Sequence, residues 1–312
     1  MHGLRFRRAV TAPLRKPRRL HPGMTVSLVA PAGTFPEGTV QRVQSCLETL
    51  GYIVRPGSHV RDRYRYMAGE DAHRAHDLWQ ALTDPSIDAV FCLRGGYGCS
   101  RLLTRLAFSQ MPEASKIFLG YSDATFLHAA LESCAGWITF HGPNAVEWVD
   151  RPGDCSESLA FLEGRTPFAW SFEADQVLYP GRTCGHLVGG NLTCLTHLLG
   201  TPFAPTFEGA LLFLEDKNEP PYRIDRMLVH LAQAGVFEVV RGVICGSFVD
   251  CGDPAEIRTL FREHVLSYQI PVVMDLPFGH GRWNHVLPLG ASSCLDTKAQ
   301  NFYFLENPFL EP

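Results

Sequence analysis

Several things are missing from this 312-residue sequence. No apolar run approaches the roughly 18 residues that a membrane span needs, so no spanning helix is expected. No excess of positive charge exists either. The formal net charge is −4, which supplies no field to draw nucleic acid, and nucleic acid is excluded as a partner. The ten cysteines (46, 92, 99, 134, 155, 184, 194, 245, 251 and 294) contain no C-x-x-C pair, which removes the commonest zinc and dithiol patterns. Several, including Cys92 in AVFCLRGG and Cys245 in GVICGSF, lie inside apolar strand-like runs, where a thiol acts as a small hydrophobe. Reduced core cysteines and a cytoplasmic location are therefore expected.

What is present fits a soluble globular protein. The hydrophobic fraction is 46% and the charged fraction 19%, and the length leaves room for two domains. Residues 1–22 stand apart. They carry Arg5, Arg7, Arg8, Arg15, Lys16, Arg18 and Arg19 with no acid and no apolar segment of signal-peptide length, and read as a disordered basic tail.

From Met24 the pattern becomes regular. TVSLVAPAG is a β-branched apolar run ending in Pro and Gly, and a helical stretch follows it. The alternation continues through GYIVRPG, DAHRAHDLWQALTDP, DAVFCLRGG, YGCSRLLTRL and KIFLGY. Strands that are apolar throughout and separated by helices imply a parallel sheet covered on both faces, with ligands at the carboxyl ends of its strands. The expected fold class is α/β: a parallel-sheet domain over residues 23–147, a linker with some extended structure over 148–180, and a second α/β domain over 181–312. A cleft between the two is the expected site.

The chemistry centres on Gly120-Tyr121-Ser122-Asp123-Ala124, where a strand runs into a helix without a spacer. The spacing is close to the G-x-S-x-G elbow that exposes a nucleophilic hydroxyl at a sharp strand-to-helix turn. A second reading stays open on the pentad alone, in which Ser122 only caps the helix. The cluster Arg94-Gly95-Gly96-Tyr97-Gly98 closes the preceding strand and can present backbone N–H groups to an oxyanion, although it also suits a tight turn. A serine needs a base and an orienting group. Glu215-Asp216 after ALLFLED, and His280 with His285 in FGHGRWNHVLPLG, are the candidates. The two histidines do not share a helix face and no third ligand is evident, so no metal and no organic cofactor is expected.

The stretches LVAPAG, YMAGEDAHRAHDL, LRGGYGCSRLL, GYSDATFL, HGPN, GHLVGGNLTCL, LFLEDKNEPPYRIDRML and FGHGRWNHVLPLGA together resemble the muramoyltetrapeptide LD-carboxypeptidase family of serine peptidases, which includes the microcin C self-immunity peptidases. The resemblance covers about residues 20–295 in family order. It implies a Rossmann-like N-terminal domain carrying the nucleophile, a C-terminal domain carrying the acid and base, and a Ser-Glu-His triad. By motif, Ser122 is then the nucleophile, Glu215 the orienting acid and His280 the base, and His285 falls outside the matching position. The expected reaction is hydrolysis of the bond between an L-configured diamino acid and a terminal D-alanine, in the cytoplasmic recycling of wall tetrapeptides by a homodimer. The N–H groups of Asp123, Gly95 and Gly96 are the expected oxyanion donors. Arg94, Tyr222 and Arg223 are candidates for the substrate's carboxylate and polar groups because they flank the site. Two departures, Val286 before LPLG and Asn144 after HGP, bear on the pocket and not on the triad. The rival readings are a microcin-type peptidase, which would need an aromatic such as Trp148 or Trp170 to stack on a base, and a two-domain binding protein without chemistry.

Overall fold

The computed structural model describes residues 14–311. Two sheets organise them. In the first, β1 (Thr25–Val29), β2 (Ile53–Pro56), β3 (Ala89–Cys92), β4 (Ile117–Gly120) and β5 (Thr139–His141) run parallel in the order β5-β4-β3-β1-β2. Every residue of β1, β3 and β4 is buried. That explains why these strands lack a polar alternation: helices α1 (Thr39–Thr49), α2 (Asp71–Thr83) and α3 (Thr125–Ala130) cover the faces, leaving no solvated side.

The segment 148–180, expected as a linker, is built into the fold. It begins within the one-turn helix α4 (Glu147–Asp150) and contains α5 (Pro152–Leu162), whose Leu159, Phe161 and Leu162 join the main core. It then supplies β6 (Ala169–Ser171) and β7 (Val177–Tyr179), the two edge strands of the second sheet. That sheet has eight strands. Its middle is parallel, formed by β8 (Arg182–Asn191), β9 (Leu211–Lys217), β10 (Gly242–Val249) and β11 (Val272–Val273), with α6 (Leu192–Leu198), α7 (Pro221–Gln233), α8 (Val236–Val239) and α9 (Pro254–Val265) between them. Asn191 and Asp253 cap α6 and α9 by accepting hydrogen bonds from the N–H groups of Cys194 and Ala255.

Two features cross between the halves. The strand β12 (Leu287–Leu289), from far down the chain, pairs antiparallel with β5 and so completes the first sheet, while β13 (Ser292–Asp296) and β14 (Asn301–Phe304) return to the second. One apolar cluster also contains Phe91, Phe140 and Leu119 of the first sheet together with Phe213, Phe278 and Phe302 of the second unit. The two halves share a core.

Two further sequence expectations need correction. Residues 1–13 of the basic segment lie outside the described residues, but residues 14–22 are packed: Arg15 bridges to Trp137, Leu20 is 1% exposed, and the Leu20 N–H donates to the Leu162 carbonyl at 3.0 Å. Their apolar members find a core that charge counting does not reveal. The cysteines are not all reduced either. Cys184 on β8 and Cys294 on β13 face each other in register and form a disulfide between residues 110 apart in sequence. Spacing along the chain carries no sign of that register. Among the described residues no helix is long and apolar enough to cross a membrane.

The two halves meet tightly at the end of β8. A Cβ on Gly190, whose φ is +137°, would lie 2.5 Å from the Thr125 Oγ1 of α3. Gly190→Ala should therefore destabilise the protein by about 1–3 kcal/mol through backbone strain alone, read as a lowered urea midpoint. An unchanged midpoint would contradict the close approach.

Candidate active site

Ser122 stands where β4 turns into α3 through the short 3₁₀ turn Ser122–Ala124. Tyr121 before it is extended, and Ser122 itself has φ 63°, a conformation that non-glycine residues occupy only at a cost. A left-handed residue between a strand and a helix directs its side chain away from the sheet edge, as in nucleophile elbows. The corner requires small neighbours. A Cβ on Gly120 would sit 2.9 Å from Cys92 Cβ and 3.2 Å from Ala124 Cβ, so alanine in place of the second glycine of the elbow is accommodated. No side-chain cap is present on the turn or on α3, and the Ser122 hydroxyl has no hydrogen-bond partner among the described residues. The capping alternative is therefore not what this serine does.

Buried neighbours fix the corner. His128 on α3 donates from Nε2 to the Gly120 carbonyl at 2.8 Å and accepts at Nδ1 from the Thr139 hydroxyl at 2.8 Å. Burial lowers its pKa to about 4, so it stays neutral. The Asp123 carboxylate accepts from the Cys99 N–H at 2.7 Å, tying the glycine loop after β3 to the serine turn. Burial raises the Asp123 pKa to about 6 against the pull of that bond.

The candidate acid and base come from the second half. Glu215, near the end of β9, is 0% exposed. Its Oε2 accepts from His280 Nδ1 at 2.6 Å and from the His280 backbone N–H at 3.2 Å. An ionised carboxylate can only accept, so the ring proton lies on Nδ1 and Nε2 is left as a free base. Gly279 makes this fit possible: a Cβ there would come within 2.5 Å of Glu215 Oε2. Burial opposes protonation of His280, but the charge and hydrogen bond of Glu215, with Asp216 and Glu147 behind it, outweigh burial and raise its pKa. Asp216 points away to Asn191 and Thr193, and burial followed by the Glu215 charge raises its pKa to about 6.

Serine and histidine open on one pocket of about 700 Å³. Its walls are the carboxyl ends of parallel strands in both sheets: Arg94 to Gly96 after β3, Ser122 after β4, Asn191 at the end of β8, Asp216 to Glu219 at and beyond the end of β9, and His280 beyond β11. The Tyr121 ring lies 4.7 Å from the His280 ring. No hydrogen bond joins Ser122 Oγ to His280 in this structure. A Cβ on Gly95 would approach Ser122 Oγ to 3.1 Å, so only glycine lets that backbone so near the hydroxyl. Gly96, at φ +110°, follows it.

The proposed substrate contacts fare unequally. Arg94 lines the pocket and donates to the Thr34 carbonyl. Tyr222 is 60% exposed at the start of α7, and Arg223 pairs with Glu219 at 3.3 Å and lines a neighbouring groove. Neither lines the Ser122 pocket, because α7 turns them outward after Pro220-Pro221. His285 faces Glu157 at 3.3 Å, away from the serine. Asn144 lines the pocket, whereas Val286 packs under Gly142. Sequence reasoning missed Asn191, Glu147, Arg151 and Lys217, all of which line the pocket. A helix-cap signal at Asn191 and the Glu147/Arg151 spacing of four residues were the available clues.

Comparison with known proteins gives consistent results. Residues 26–142 match the family model described as LD-carboxypeptidase N-terminal domain, and residues 184–295 the model for the LD-carboxypeptidase C-terminal domain. The "probable murein peptide carboxypeptidase" of Bacillus subtilis is 36% identical, with 90% of this chain and 92% of that protein covered. The crystal structure of muramoyltetrapeptide carboxypeptidase from Oxalobacter formigenes superposes with TM-score 0.77 at 32% identity, covering 89% of this chain and 97% of that one. The microcin C7 self immunity protein superposes with TM-score 0.83 at 22% identity, covering 95% and 99%, and so shares the fold.

The buried Glu215–His280 pair predicts an imidazole that titrates above the ordinary histidine value of about 6.5. Followed by NMR, the midpoint should fall below that value in Glu215→Gln, since removing the charge leaves burial as the main influence. A midpoint unmoved by the substitution would show that Glu215 does not set the protonation of His280.

Proposed function

The chain belongs to the LD-carboxypeptidase family of serine peptidases and is a carboxypeptidase hydrolase, and from that membership we propose that it removes the terminal D-alanine from murein tetrapeptides through a Ser122-Glu215-His280 triad. The observation that carries this reading is the strained corner at Ser122, whose hydroxyl is unbonded and shares a pocket with a buried, correctly polarised Glu–His pair.

In this reading His280 Nε2 takes the Ser122 hydroxyl proton as Oγ attacks the carbonyl carbon between the L-centre of the diamino acid and D-alanine. The reaction requires a Ser122–His280 hydrogen bond to form when substrate fills the pocket, since catalytic bonds commonly tighten only in the complex. The N–H groups of Asp123, Gly95 and Gly96 receive the oxyanion. Among the described residues, no hydrogen bond within the protein occupies the Gly95 or Gly96 N–H. His280 then returns its proton to the departing amine, D-alanine leaves, and a water activated by the same imidazole hydrolyses the acyl-serine. Glu215 holds the tautomer and stabilises the imidazolium. Because the base works neutral, activity should rise with pH through the elevated His280 pKa.

The microcin-type alternative has less support. Trp148 is 2% exposed and packs edge-on against Phe91, while Trp170 lies among Phe161, Phe278, Phe302 and Phe304. Neither lines the Ser122 pocket to stack on a base. Cytoplasmic recycling of wall fragments and a homodimer belong to the same proposal and rest on the family.

Ser122→Ala assayed on a murein tetrapeptide should lose on the order of 10⁴-fold or more in kcat while still binding the peptide. Retained release of D-alanine would remove the serine from its role. Competition between the tetrapeptide and an aminoacyl-sulfamoyl adenylate separates the two peptidase readings, with the tetrapeptide expected to win.

A further inference from the structure

We propose that Lys217 holds the free carboxylate of the substrate's terminal D-amino acid, and so restricts the enzyme to the last peptide bond. The proposal rests on the reaction just described and assigns a subsite to it.

The placement follows from β9. Side chains alternate along a strand, so Phe213, Glu215 and Lys217 leave one face and Asp216 the other. The contacts agree: Phe213 meets the His141 and Phe278 rings and Glu215 meets His280, whereas Asp216 bonds Asn191 and Thr193. Lys217 therefore lies one pleat repeat, about 7 Å, beyond the acid on the acid's own side. It lines the pocket, is exposed, and has no ion-pair partner among the described residues.

The other cations of the pocket are placed differently. Arg151 is engaged by Glu147 and Asp154. Arg94 belongs to the glycine loop after β3, and its guanidinium is on the Thr34 carbonyl.

Reaction direction selects between the two sides. His280 gives its proton to the departing nitrogen, so D-alanine leaves on the His280–Glu215 side and the rest of the peptide extends past the glycine loop. The carboxylate carbon is only two bonds from that nitrogen and falls beside the strand that carries Glu215. An ammonium on a flexible stem suits an anion there. A peptide continuing past this point would put a neutral amide against an unpaired cation, which costs binding and supplies discrimination.

The test crosses enzyme variant with substrate charge. Wild type, Lys217→Met and Lys217→Arg are assayed on the tetrapeptide acid and on its C-terminal carboxamide. Wild type should prefer the acid by roughly 10- to 100-fold in kcat/KM. Lys217→Met should lose that factor on the acid while changing little on the amide, so that the preference collapses, and Lys217→Arg should retain most of it. A Lys217→Met enzyme that keeps the wild-type preference, or that falls equally on both substrates, overturns the assignment and leaves the peptidase reading standing. Failure of the wild type to release D-alanine from the acid overturns that reading and this subsite with it.

Discussion

The triad proposed here depends on one contact between the halves, the seating of Thr125 against the glycine pair at the end of β8. Thr125 Oγ1 accepts from the Asn191 N–H at 3.0 Å, and there is no room for a Cβ on Gly190 beside it. Gly189 is equally constrained, since its Cβ would overlap the Phe213 carbonyl of β9. Thr125 follows Ser122 by three residues, and Phe213 precedes Glu215 by two. The glycine pair therefore sets the distance between Ser122 at the edge of one sheet and Glu215 on the other. Asn191 extends the link, since its side chain donates to Asp216 at 2.9 Å while capping α6. A hinge at this position would separate serine from base, and the shared apolar core and the β12–β5 pairing both oppose one.

Electrostatics adds a second constraint. Glu147 and Asp216 line the pocket and Glu215 and Asp123 are buried next to its lining residues, and Asp123, Glu147 and Asp216 have pKa values raised first by burial. A buried carboxylate is tolerable only where donors surround it. Asp216 has Asn191, Thr193 and the Lys217 N–H, and Glu147 has Arg151. Glu215 Oε1 has no partner, and Oε2 accepts both hydrogen bonds from His280. The orphan oxygen costs stability, a cost of the kind expected at a functional site.

Much of this was legible in the sequence because it is local. Apolar runs broken by Pro and Gly gave the parallel strands, and strand-to-helix junctions gave the edge where Ser122 and the glycine loop lie. Glu215 and His280 stood out by residue type and by resemblance, but their meeting across 65 residues is a product of Gly279, whose role is visible only as a missing Cβ beside Glu215. Non-local pairing was hidden. The return of β12 to the first sheet, the register that joins Cys184 to Cys294, and the burial of Leu20 against residue 162 depend on distant strands and helices. Tyr222 and Arg223 flank the expected site in sequence, yet α7 carries them outside the pocket. Counting the strand's alternation instead leads from Glu215 to Lys217.

Departures from ordinary backbone and hydrogen-bonding rules are distributed unevenly. Among the described residues, five of the seven non-glycine residues with positive φ are exposed, where solvent satisfies the strained peptide. Ser122 is half-buried between a strand and a helix, so its conformation is held by surrounding packing instead. Close by, His141 is fully buried with neither ring nitrogen hydrogen-bonded, packed between Tyr121 and Phe213, and burial pushes its pKa well down. A neutral imidazole in that position supports Tyr121 from behind while Tyr121 faces His280. Strain at the serine, an orphan oxygen on the acid and an unsatisfied ring beneath the aromatic wall occupy one small region. A fold selected for stability alone would have relieved each of them with a glycine, a donor or an apolar ring. Their coincidence at the meeting edge of two sheets follows if the protein accepts local instability to keep a hydroxyl exposed and an imidazole polarised.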